Sequence, residues 1–572
     1  MSTLLQKKVI RCILLVSGLL FVASLSHANV TMSPLFGDHM VLQQGMSLPI
    51  WGMADPGEKV TVTFIGQEVT TTAAPDGRWR VNLEPVYLRS SPDILIINGK
   101  NHLQISDVLV GDVWLCSGQS NMEWPLSKSD HSDEEIPRAY DAGLRLFTVK
   151  QASALNPLHT LQGEWKICTP ESAADFSAVG YFFGRDLRKT TGLPIGLIGA
   201  YWGGTSAQAW MSLETFKEAP SLTRYLADYV INCAWMKYDR PEAVASYPSR
   251  KAAYEEALSD WKKNIEPAYQ AALANWKGQC DQARRKLQAQ PLKPEPSSPE
   301  PLLPQEPSAE SSLTTLLFNG MISLLIPYAI TGVICSQGEN NEGPLASLEY
   351  GRLFQRLIRS WRRAWGEGPF PFYFVALANH FKPSSAAVEP MFDEEGNPNP
   401  SWAWVRQGQA AALLLPETGM AVATDIGDAD DIHPRDKLDV GRRLALIARK
   451  NVYGENIIAS GPIYCSMKIE RNKIKLTFDS IGSGLTIGAP PWTPDGNFPF
   501  SLELKGFAIA GKNRHWIEAT ATIEGDCVVV SSQLIDHPEA VRYNWVNNPP
   551  GNLYNKNGLP AAPFRTDHDQ PK

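Results

Sequence analysis

The sequence lacks most of the marks of a metal-, nucleotide- or nucleic-acid-binding protein. Cysteine is sparse, eight in 572 residues with no C-x-x-C, which excludes a zinc ribbon and a disulfide-stapled scaffold. There is no basic surplus. Lys and Arg total 53 against 60 Asp and Glu, a formal charge of -7, so a polyanion such as nucleic acid is not an expected partner. No G-x-x-x-x-G-K-[ST] occurs, and no G-x-G-x-x-G opens a helix, so the phosphate-cradling loops are missing. There is no H-E-x-x-H, and the acidic run from Asp425 to His433 lacks the spacing and glycine of a calcium loop. No metal or organic cofactor is therefore expected. Beyond the first 25 residues no apolar run is long enough to span a bilayer.

What is present begins with a leader. Lys7, Lys8 and Arg11 precede an apolar stretch from Ile13 to Leu25, and Ser26-His27-Ala28 closes it with small residues at the outer positions. Residues 1–28 read as a signal peptide, which implies export to the periplasm or beyond and no stable membrane insertion after cleavage. Seven cysteines then remain, and the sequence does not pair them.

The rest of the chain divides by pattern. Residues 29–110 show short alternating runs, such as Lys59 to Phe64, broken by Asp55-Pro56-Gly57 and Pro75-Asp76-Gly77, the signature of a β domain. From Gly111 continuous apolar runs appear at 113–116, 195–198, 332–335 and 372–375, with a helical pattern over 350–365. Alternating strand and helix predict an α/β domain with a parallel sheet over 111–453. A helical and proline-rich insertion interrupts it at about 235–310, where Tyr254, Leu258, Trp261, Ile265, Tyr269, Ala272 and Trp276 mark one face of a long helix. Strand patterns return over 454–547, and residues 548–572 form a tail rich in Asn, Pro and Gly.

Four segments carry chemistry. Ser120 follows a strand in Gly118-Gln119-Ser120-Asn121-Met122, at the carboxyl edge where α/β enzymes place their sites. Most such serines only shape a turn, and the motif is not G-x-S-x-G, because Met122 replaces the last glycine. His433 lies in Asp425-Ile426-Gly427-Asp428-Ala429-Asp430-Asp431-Ile432-His433-Pro434, before a helical run from Asp436 to Lys450. A serine needs a base, and a base needs a carboxylate to fix its tautomer. Gly203-Gly204 after the strand at Ile195 exposes backbone N–H groups. Gln337-Gly338-Glu339-Asn340-Asn341 after the strand at Gly332 supplies side-chain amides.

In this order the segments resemble the sialate O-acetylesterase family, a branch of the SGNH hydrolases. The strings that carry it are Leu109 to Trp124, Gly203 to Trp210, Asn319 to Ile322, Gln337-Gly338-Glu339, Asp431 to Lys437 and Gly558 to Thr566. The resemblance implies a three-layer α/β/α catalytic domain flanked by β-sandwich regions. It implies Ser120 as nucleophile, His433 as base, and Gly204 and Gln337 as oxyanion donors. It leaves the acid open between Asp430, three residues before His433 and favoured by SGNH spacing, and Asp431 of the family's Asp-Ile-His-Pro string. Asn121, Glu339 and Asn341 are expected to hold the substrate, an O-acetylated sugar that is either a sialic acid or a polysaccharide such as xylan. Two departures stand near the expected acyl pocket. Cys335-Ser336 replaces a frequent Trp-Tyr, and Asn340 replaces a frequent serine. The rival reading from another class is a non-catalytic carbohydrate-binding protein.

Overall fold

The computed structural model describes residues 29–89, 91–238, 240–285, 294–299, 301, 312–381, 401–488 and 503–569. The expected signal peptide and most of the proline-rich stretch 291–307 lie outside them. No described helix is long and apolar enough to cross a membrane.

The continuous apolar runs build a central sheet. Its strands are β1 (His102–Gly118), β2 (Asp141–Thr148), β3 (Trp165–Cys168), β4 (Ile195–Tyr201), β5 (Gly332–Ser336), β6 (Phe372–Val375) and β7 (Thr418–Ala421). They lie in the order β3-β2-β4-β1-β5-β6-β7. β3 runs antiparallel to β2, and every other neighbouring pair is parallel. The edge strands β3 and β7, and β2 next to β3, carry weaker apolar runs, and the sequence pattern did not announce them.

Four helices cover the two faces: α1 (Ala178–Thr191), α2 (Pro344–Trp365), α3 (Ser401–Ala411) and α4 (Lys437–Asn451). The pleat of β1 sends successive side chains to opposite faces. Val113 and Leu115 join a core with Tyr350, Leu353, Leu357 and Trp361 of α2. Trp114 and Cys116 join another with Val179, Phe182 and Phe183 of α1 and Leu444 of α4. The three- and four-residue spacing within α1 and α2 is one apolar stripe per helix. Pro344 occupies the start of α2, where its missing N–H costs nothing. The Asp436 side chain caps α4 by accepting from the Asp439 N–H at 3.0 Å.

β1 is unusually long because it serves two sheets. Its first half pairs antiparallel with Asp93–Asn98 of the N-terminal β region, and its second half is flanked by β4 and β5. The change of sequence character near Gly111 thus falls inside one strand. The expected insertion helix is two helices, Arg240–Asn264 and Glu266–Arg285, interrupted at Ile265. Trp261 on the first donates to the Ser298 carbonyl at 2.8 Å. The C-terminal region contains two four-stranded sheets around a shared apolar core. The segment after Asn547 is part of it, since Leu553–Asn555 and Phe564–Arg565 pair as strands and Leu553 and Leu559 are buried.

One buried ion cluster ties this region to α4. Arg443 grips Asp425 with two bonds of 2.7 and 2.8 Å and reaches Asp439 at 3.2 Å, while the Tyr554 hydroxyl donates to Asp425 at 3.0 Å. Removing the cation strands two buried carboxylates, which typically costs about 3–5 kcal/mol. Arg443→Met should therefore lower the unfolding free energy in urea by about that much. A loss below about 1 kcal/mol would show that the cluster is dispensable.

Candidate active site

Three loops meet where the sheet changes direction, after β1, β4 and β5. In open α/β sheets this crevice outside the strand carboxyl ends is where sites form. The loops touch closely. Gly118 has φ 135°, and a Cβ there would lie 1.9 Å from the Ser336 carbonyl oxygen, so only glycine fits. The Gln119 N–H donates to that same Ser336 carbonyl at 3.0 Å, and Trp202 N–H to the Gly118 carbonyl at 3.1 Å.

Ser120 opens a single helical turn, Ser120–Glu123. Its N–H is among those that a helix start leaves without an intrahelical acceptor. Gly203 packs against it, with room for a Cβ only 3.3 Å from that of Ser120. The Gly203 N–H is held by Glu123 Oε2 at 2.5 Å, and Glu123 Oε1 accepts from Gln151 at 2.8 Å. Glu123 therefore fastens the glycine loop to the serine turn. The next residue, Gly204, is exposed at φ 69°, and its N–H has no partner among the described residues. Two backbone donors thus remain beside Ser120.

Gln337, expected as a third donor, is placed differently. Its Nε2 donates to the Thr205 carbonyl at 3.2 Å and to Asn341 Oδ1 at 3.1 Å, and its Oε1 accepts from the Tyr350 hydroxyl at 2.6 Å. Both amide hydrogens are engaged, so in this conformation the side chain joins two loops instead of offering a free donor to the site.

His433 sits on the opposite side of the serine turn. Asp431 Oδ1 accepts from the His433 backbone N–H at 2.9 Å and lies 3.1 Å from its Nδ1. Asp430 does not share this contact; its N–H donates to Asp428. The aspartate against the ring is therefore Asp431, although SGNH spacing pointed to Asp430. The His433 backbone N–H holds the Asp431 carboxyl below its ordinary range; burial opposes it, and the His433 ring adds a lesser lowering. With Nδ1 turned to the carboxylate, Nε2 is the nitrogen left for the serine. The imidazole stacks on Trp124, ring centroids 5.1 Å apart and planes at 21°. Among the described residues Ser120 Oγ makes no hydrogen bond. Such catalytic contacts commonly tighten only with substrate bound.

Beneath the turn is a buried polar network. Asn121 Nδ2 donates to Glu339 Oε1 at 2.6 Å and to the Ile432 carbonyl at 3.1 Å. Its Oδ1 accepts from Lys437 Nζ at 2.6 Å. Gln119 donates to the other Glu339 oxygen. Asn341 is 1% exposed and bonded to Ala207, Gln208 and Gln337. Asn121, Glu339 and Asn341 were expected to hold substrate. In the structure all three are buried and their polar atoms bond to other protein groups. Lys437, 2% exposed, is pushed down to about 7, chiefly by burial, against the pull of Glu339, Asp431 and Asp436. Glu123, Trp124 and Lys437 were not singled out from sequence. Each stands within a few residues of Ser120 or His433, and that proximity was the available signal. Among the described residues no group of three His, Cys, Asp or Glu side chains is arranged to hold a metal ion.

No protein-family model matches the chain. Curated relatives do. The sialate O-acetylesterase of Rattus norvegicus is 31% identical over 480 residues, 77% of this chain and 78% of that protein. That of Mus musculus is 30% identical over 77% of each chain, and that of Homo sapiens 28% identical over 74% of this chain and 71% of its own length. Among solved structures, a carbohydrate acetylesterase from Xanthomonas citri is 33% identical with a TM-score of 0.72, covering 94% of this chain and all of that one.

The two aspartates can be told apart chemically. A fluorophosphonate reagent reports the reactivity of Ser120 without any choice of substrate. Asp431→Ala should slow its labelling by about 10- to 1,000-fold, as loss of an imidazole-orienting carboxylate does. Asp430→Ala should stay within about threefold of the parent rate. Equal slowing in both would refute the pairing described above.

Proposed function

The chain belongs to the sialate O-acetylesterase family, and from that premise we propose that it is a serine-dependent carbohydrate O-acetylesterase built on a three-layer SGNH-type domain. The observation that carries the proposal is one arrangement. A serine at the head of a helical turn packs against the loop of Gly204, whose N–H has no partner among the described residues, and a carboxylate-bound His433 stacks on Trp124 of the same turn.

Ser120 Oγ attacks the acetyl carbonyl carbon while His433 Nε2 takes its proton. The carbonyl oxygen becomes an oxyanion facing the N–H groups of Ser120 and Gly204. Donors fixed in place before reaction are the most effective kind, each worth about 3–4 kcal/mol by mutagenesis elsewhere. Asp431 keeps the imidazole oriented and stabilises the imidazolium. The C–O bond to the sugar breaks, and the imidazolium protonates the leaving alkoxide. Water then attacks the acetyl-serine, His433 takes its proton, and acetate leaves as Ser120 regains the hydrogen. Gln337 and Glu123 serve this step indirectly, by holding the glycine loop.

The substrate is an acetylated sugar, with sialic acid the first candidate by family. A second reading has its own support. Asp428, Asp430 and Asp431 are all exposed on the base's loop, and carboxylates there oppose an anionic sugar. A neutral acetylated polysaccharide such as xylan fits that rim better. The leader at 1–28 supports export to the periplasm or the medium.

Ser120→Ala should abolish hydrolysis of p-nitrophenyl acetate, by about 10³-fold or more, while the fold is retained by circular dichroism. A folded variant with parental turnover would end the serine assignment. Parallel assays on acetylated sialic acid and acetylated xylan rank the two substrate readings.

A further inference from the structure

The network beneath Ser120 holds a cation that the acyl-transfer scheme does not use. Lys437 is the first residue of α4, four positions after His433. Its ammonium has two close partners, both in the serine turn. It donates to Asn121 Oδ1 at 2.6 Å, and it lies 5.7 Å from the centre of the Trp124 ring. Asn121 is covalently next to the nucleophile, and Trp124 stacks on the base.

The consequences follow from amide chemistry. An ammonium only donates, so it requires the Asn121 oxygen. That fixes the amide's other end, whose N–H groups must then face Glu339 and the Ile432 carbonyl. Ile432 immediately precedes His433. The lysine charge thus dictates the bond that joins the serine turn to the histidine loop. The cation also lies over the indole ring against which the imidazole stacks, as Lys128 does at 5.9 Å, a favourable pairing. Substrate does not reach this place. The cavity that Lys437 lines with Asn121, Ser336 and Glu339 is about 20 Å³, room for one water at most.

We infer that Lys437 is a positioning residue for acyl transfer, setting the His433 ring against Ser120 through Asn121 and Trp124. This rests on the reading of Ser120 and His433 as nucleophile and base. The charged groups facing the ammonium are Glu339 from the loop after β5, Asp431 from the histidine loop and Asp436 from the cap of its own helix. Burial outweighs them and brings the ammonium's loss of a proton down to about 7. For a lowered amine the charged form is present below that pH and lost above it. The alignment therefore weakens as pH rises past about 7, and a permanently charged guanidinium should resist this.

The test compares wild type, Lys437→Met and Lys437→Arg in kcat and KM for p-nitrophenyl acetate from about pH 6 to 9.5, each checked for folding by thermal melting. Lys437→Met should lose roughly 10- to 100-fold in kcat with KM within about threefold, the pattern of misplaced reacting groups. Lys437→Arg should recover kcat to within about fivefold of wild type and move the alkaline fall in kcat upward by at least about one pH unit. A folded Lys437→Met with wild-type kcat overturns the inference. So does Lys437→Arg with an unmoved alkaline limb, which decides the matter alone if the methionine variant does not fold. Ser120→Ala, run alongside, separates the layers. If it is inactive while Lys437→Met is normal, only the lysine role fails; if it is active, the reading beneath fails.

Discussion

A buried carboxylate organises this molecule. Glu339 lies on the turn after β5 and is 6% exposed, and an anion there is tenable only if donors meet it from other parts of the chain. They come from Gln119 and Asn121 in the turn after β1, with the positive charge of Lys437 nearby from the start of α4. Satisfying one charge therefore draws together three segments that lie far apart along the chain. The serine rides on the first and the histidine on the last. Their mutual placement is a by-product of electrostatic necessity at Glu339, which explains why residues that look suited to gripping a sugar are turned inward.

A second clamp acts from behind. Arg443 joins α4 to Asp425 in the loop that leads to the histidine, and Tyr554 of the C-terminal region completes that cluster. On α3, Arg406 donates to the carbonyls of Val546 and Asn547. Beside it Arg542 and Arg565 lie over Trp545, with Arg565 also over Trp404 of α3 and the fully buried Asp567 bridging both guanidiniums. Planar cations between indoles give a rigid seam at modest desolvation cost. The C-terminal β region thus buttresses α3 and α4, the latter joined to the His433 loop.

Much of this was legible in the sequence where one physical signal dominated. The second half of β1, with β4, β5 and β6, is buried on both faces and reads as continuous apolar runs, and α2 shows its stripe plainly. The edge strand β3, with lysine and threonine neighbours, is stabilised by its partner more than by its own composition, so no local pattern announced it. At the site, glycine and histidine positions were visible because their chemistry is distinctive. The choice between Asp430 and Asp431 was not, since it depends on which carboxylate folds back on the His433 backbone. Nor was the inward orientation of Asn121, Glu339 and Asn341, which depends on partners from distant loops. Lys437 read as an ordinary charged residue at a helix start, and only its surroundings make it otherwise.

The long strand β1 sets a further constraint. Its pairing with Asp93–Asn98 shifts register between Ile105 and Val108, where Asp107 has φ 56°, and beyond that bulge the alternation of side chains sets which face each position up to Gly118 takes. One residue inserted or deleted in that strand would exchange Trp114 and Cys116 with Val113 and Leu115 between the two cores, and would turn the serine toward the wrong side of the sheet. The strand that the N-terminal β region shares with the central sheet thereby sets where Ser120 stands. Beyond the bulge, a change of length in that strand keeps both cores only if it comes in whole pleats.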